Sequence, residues 1–142
     1  MGTLTKANPN ARELLTEILD KTSWWSTLRL IVEFLNSKRV ENVRIEVGFV
    51  LDQELEGELQ PQRQVVRLLD LEAVIRKGFD DGTIEWGRSS DFLFHPVGTD
   101  LAFMLCNDSD LHFASADSEL LMELTHRIRS TGIKVYDHGT LI

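Results

Sequence analysis

From about Ser23 to Ser37 the apolar side chains repeat at helical spacing and crowd nearly every side of the helix they imply. Leu28, Leu30, Ile31, Val32, Phe34 and Leu35 leave only a narrow polar stripe of Ser26, Arg29, Glu33 and Asn36. A helix of that kind must be covered on most sides. Either it lies between another helix and a sheet, or part of it faces a second subunit. The apolar excess predicts a homodimer through Ser23–Ser37, because large exposed apolar patches mark interfaces and twofold dimers are the commonest oligomer. Trp24 and Trp25 open the segment, and their spacing suits core packing more than the anchoring of a partner.

The segment before it predicts the covering helix. Asn8 supplies a capping side chain and Pro9 a preset first position. Behind them Ala11, Leu14, Leu15, Ile18 and Leu19 share one face, opposite Arg12, Glu13, Thr16, Glu17 and Asp20. Beyond the central helix, Val43, Ile45, Val47 and Phe49 alternate with Arg44, Glu46 and Gly48, the pattern of a strand with one wet face. Asp52 to Arg63 is acidic and polar and reads as a solvated connection or an acidic contact loop.

Val65 to Leu69 can be read in two ways. It is a strand followed by a short helix capped by Asp70, or one helix from Gln62 to Lys77 with Val65, Leu68, Leu71 and Ile75 inward. The persistent apolar spacing, with no turn residue to interrupt it, favours the single helix. A β-meander follows: Thr83–Trp86, Phe92–His95, Leu101–Cys106 and Leu111–Ser115, divided by turn residues such as Asn107–Asp110. Asp117 caps a last helix with Leu120, Leu121, Leu124 and Ile128 inward, and Gly132 stops it. Ile133–Tyr136 then returns as a strand parallel to Leu111–Ser115. The expected fold is one α+β domain over residues 1–142. It has a mixed, mostly antiparallel sheet with a C-terminal βαβ unit, and two N-terminal helices packed on the sheet.

The net charge of −8 disfavours contact with phosphate backbones and anionic membranes, and no basic stripe is present to track a nucleic acid. No apolar run approaches the roughly 20 residues of a membrane span. Met1–Lys6 lacks the apolar region of a secretory leader, so the expected compartment is the cytoplasm. The single cysteine, Cys106, cannot close an internal disulfide and reads as a small buried apolar residue. The nine glycines form no phosphate loop or dinucleotide fingerprint, and no zinc-type cysteine pair, HExxH or GxSxG motif occurs. No cofactor is expected.

Asp108, Asp110 and His112 invite a metal reading by their closeness in sequence, but their places suit a turn and the strand after it. His95 and His112 fall two strands apart and too far for one metal, at roughly 4.8 Å per gap. The topology gathers a better cluster at one sheet edge: His95, Asp100, Asp117, Asp137 and His138. Two imidazoles and three carboxylates there have the chemistry to hold a divalent metal or exchange protons. Two readings follow. One is a non-enzymatic, acidic protein-interaction or regulatory module that binds another protein, a basic one. The alternative is a small metal-assisted hydrolase using the edge cluster.

Overall fold

The computed structural model describes residues 10–48, 62–81, 91–105 and 110–142. Four sequence expectations lie outside them: the Asn8–Pro9 helix start, the Thr83–Trp86 strand, the burial of Cys106 and the turn at Asn107–Ser109. So does most of the connection after Asp52.

In chain order the elements are β1 (Arg12–Thr16), α1 (Lys21–Ser37), β2 (Asn42–Gly48) and β3 (Gln62–Arg67). A 3-10 turn at Leu68–Asp70 leads into α2 (Leu71–Asp80). Then come β4 (Asp91–Pro96), β5 (Ala102–Leu105), β6 (Leu111–Ser115), α3 (Ser118–Arg129), β7 (Val135–Asp137) and β8 (Thr140–Leu141). The strands form one sheet in the order β3-β2-β4-β5-β6-β1-β7-β8. No described helix is long and apolar enough to cross a membrane.

The helix expected behind Pro9 is a strand where it is described. Arg12–Thr16 has a mostly helix-favouring composition, yet it pairs antiparallel with β6 on one side and β7 on the other. Pairing on both sides overrides a weak local preference. The single helix over Gln62–Lys77 is also corrected. Its first part is β3, paired with β2 through Asn42↔Arg67 to Val47↔Gln62. Leu68, Leu71 and Ile75 are buried as expected, but Val65 is 61% exposed. The helical spacing was genuine only from Leu68 onwards, and β-branched Val65 and Val66 went to the sheet.

The sheet is antiparallel in every described pairing rather than mixed. β6 and β7 do point the same way, since each is antiparallel to β1, but β1 lies between them. The expected βαβ unit is therefore split by an inserted strand.

Alternation divides the sheet into two faces. Leu14, Val43, Ile45, Phe92, Phe94, Phe103, Phe113 and Val135 point to one face and are at most 1% exposed. They join buried residues of all three helices in one core, including Trp24, Ile31, Phe34, Leu71, Ile75, Leu121 and Leu124. The apolar excess of α1 is absorbed here. Trp24, Thr27, Leu28, Ile31, Phe34 and Leu35 are buried, while Trp25, Leu30 and Val32 pack partly buried against the same core. The expected Ser23–Ser37 dimer therefore has no large bare apolar face on this helix to rest on. On the opposite face Ala102, Met104 and Ala114 form a smaller cluster with Leu93, and no described helix contributes to it.

Candidate functional site

The expected edge cluster does lie at one end of the sheet. Antiparallel register brings the close of β4, the start of β5, the close of β6, the start of β1 and the close of β7 to the same side. The side chains are nevertheless committed to separate structural contacts. Asp100 accepts from the Ser115 hydroxyl at 2.5 Å and from the Ala116 backbone N–H at 2.7 Å. The same Ser115 oxygen accepts from the Asp117 N–H at 2.9 Å, and Asp117 accepts from Leu120 N–H at 3.1 Å as the cap of α3. Asp100 thus braces the loop that starts a helix. Asp137 pairs with Arg12, whose Nε is 3.0 Å away. His138 sits at the β7–β8 turn with a positive φ of 49° and a side chain 91% exposed. Among the described residues no three His, Cys, Asp or Glu side chains converge where they could hold a metal ion.

His95 and Asp100 do share a cavity of about 250 Å³, lined also by Arg44 and the turn Pro96–Thr99. Burial and the neighbouring Arg44 guanidinium hold the His95 pKa below its ordinary value, against the opposing pull of Glu46. The Nε2 atom lies 3.5 Å from a Glu46 oxygen. His95 is half-buried on the face away from the helices, where Arg44 pairs across the ladder with it.

A second cluster joins Asp110 and His112, already neighbours in the sequence, to Glu13, which sequence reading did not connect with them. On the face away from the helices, His112 Nδ1 is 2.7 Å from Glu13 and its Nε2 is 3.2 Å from Asp110. All three side chains are at least nine-tenths buried. The Nδ1 contact to Glu13 is at hydrogen-bond distance, whereas the Nε2 contact to Asp110 is one of proximity, so the ring sits between two buried carboxyl groups. Asp110 and His112 are two apart on an extended segment and share a face, a signal the sequence carried. Glu13 comes from 99 residues away, on a segment whose composition imitates a helix.

The far edge of the sheet is differently made. Among the described residues β3 pairs only with β2, which leaves its outer side open over six residues. Val65 is 61% exposed on it, and Leu69 just beyond it is 76% exposed. Leu68, Leu69 and Arg67 line a cavity of about 290 Å³ with Asn36, Val40, Glu41 and Asn42. Unpaired N–H and C=O groups on an open edge are a template for another strand. No family model matches the chain, and no curated protein or solved structure matches it either.

Proposed function

We infer that the chain is a non-enzymatic protein-interaction module whose open β3 edge takes up an extended, basic segment of a partner protein. The observation that carries this reading is the pair of exposed apolar side chains, Val65 and Leu69, beside a six-residue edge. Strand addition gains affinity from main-chain hydrogen bonds and specificity from pockets for alternate side chains. The cavity around Leu68 and Leu69 supplies such a pocket. The net charge of −8 attracts a basic partner and repels a second copy of the chain. A lone cysteine suits a reducing compartment such as the cytoplasm. The rival reading, metal-assisted hydrolysis at the sheet end, is less favoured because Asp100, Asp117 and Asp137 already serve a loop, a cap and an ion pair.

The test compares the wild-type chain with the double variant Val65→Lys, Leu69→Asp as baits in extracts of the source cells, with bound proteins identified by mass spectrometry. Both sites are exposed, so the variant keeps its fold with a stability change near 0.5 kcal/mol or less each. At least one protein is expected on the wild-type bait and depleted about tenfold on the variant. Its binding segment, mapped with overlapping peptides, is rich in Lys and Arg and weakens with salt. Equal recovery by both baits sinks the reading. Light scattering that shows dimers lost in the variant would replace the partner with a second copy.

A further inference from the structure

A separate cleft lies between the first turn of α1 and the last turn of α2. Lys21, Trp25, Arg76, Phe79 and Asp80 line it, and its volume is about 240 Å³. Its walls are aromatic and fixed. Trp25 meets Phe79 edge-on at 5.8 Å between ring centroids, and the Arg76 guanidinium lies over the Trp25 ring at 4.0 Å. Arg76 is held there by Glu72, 3.0 Å from its Nε, which leaves its terminal nitrogens unpaired among the described residues. Glu72 is in turn gripped by Arg29, which with Arg76 holds its carboxyl at a pKa of about 2.

The two remaining charges in the cleft are misplaced from the viewpoint of stability. Lys21 is the first residue of α1, a cation at the positive end of a helix dipole. Asp80 is the last residue of α2, an anion at the negative end. Among the described residues neither has a salt-bridge partner, and they do not pair with each other. Local choices that work against the fold mark functional positions. Lys21 and Asp80 therefore present unspent opposite charges across an aromatic-walled space. That space is smaller than the roughly 300–1,000 Å³ typical of ligand pockets, so its occupant is small.

We propose that this cleft binds a small aromatic zwitterion, in chemical class an aromatic α-amino acid. Its ring packs against Trp25 and Phe79, its carboxylate meets Lys21 and the free end of Arg76, and its ammonium meets Asp80. Charge-assisted contacts of this kind select for both poles of the ligand at once.

The test titrates the full chain with L-phenylalanine, which is dark at indole wavelengths, and reads tryptophan fluorescence and calorimetric heat. Two analogues each remove one pole: 3-phenylpropionate lacks the ammonium and phenethylamine lacks the carboxylate. Saturable binding of L-phenylalanine is expected, with each analogue weaker by about fivefold or more. The variants Lys21→Glu and Asp80→Lys are expected to lose binding to the same extent while raising the melting temperature by about 1–3 °C, because each now suits its helix dipole. That opposition separates a binding role from a structural one. Absence of any signal at millimolar L-phenylalanine overturns the proposal. So does equal binding of an analogue, or variants that bind as the wild type does.

Discussion

The two faces of the sheet use the same strands to different ends. Towards the helices, the strands present Phe92, Phe94, Phe103 and Phe113 with aliphatic neighbours, all almost fully buried. Away from them, the buried apolar positions are mostly small, as at Ala102 and Ala114, and the space beside them holds Glu13, His112 and Asp110. One face is held by volume and close packing, which any side chain of the right shape serves. The other is held by short polar contacts of one imidazole with two buried carboxyl groups, which depend on those particular side chains. Residues next to one another along β6 belong to these two regimes, so one-step register slips are doubly costly: they would carry Phe113 out of the core and His112 into it.

The largest effect is expected on the packed face. Phe103 is stacked on Phe94 at 4.7 Å and 9° and is fully buried. Phe103→Ala should cost about 4 kcal/mol by denaturant unfolding, from lost transfer energy and the cavity left behind. A cost below about 1 kcal/mol would mean that this face tolerates voids, and the contrast between the faces would collapse.

Next comes the polar face. His112→Ala leaves two buried carboxyl groups without the ring between them and should cost about 3 kcal/mol. Adding Glu13→Leu to it should recover part of that loss, since an apolar replacement removes one buried carboxyl group. If the double variant is less stable than the single one, Glu13 is held by something other than His112.

The charges in β1 and β6 also show how far sequence carried. α1, α3, β2, β4 and β6 were legible because their apolar positions keep one period with clear stops, such as Asp117 before α3 and Gly132 after it. β1 was illegible because Arg12, Glu13, Leu14 and Leu15 fit an amphipathic helix as well as a strand, and its partners lie at the other end of the chain. The split of the βαβ unit followed from the same miss. The residues expected at the sheet end do share that end, by an antiparallel register rather than the expected parallel pair, but which oxygen serves which N–H is invisible in the sequence. Ser115, which joins Asp100 to Asp117, gave no sequence signal.

The smallest effect concerns pH. Burial and Arg44 keep His95 below its ordinary pKa, so the unfolded ring takes up a proton at a higher pH than the folded one. Between the folded value and roughly 6.5 the unfolded state binds more protons, and stability falls as the solution is acidified through that window. Above it, His95 contributes no slope. Denaturation midpoints of the wild type and His95→Gln at several pH values between about 5 and 7.5 should show a shallower acid-side decline in the variant. Parallel curves would place the proton uptake on groups other than His95.

The position of β1 between β6 and β7 has a consequence in time as well as space. Glu13 meets His112 across 99 residues, and Arg12 meets Asp137 across 125. During synthesis β1 emerges long before either neighbour exists, and it must wait unpaired while most of the chain is made. Contacts this distant in sequence slow folding, because chain entropy is lost before the contacts form. The helix-like composition of Arg12–Thr16 suits that interval. Five residues are too few to hold a helix alone, but a segment with little intrinsic preference for a strand is less prone to pair with other chains before its two partners arrive.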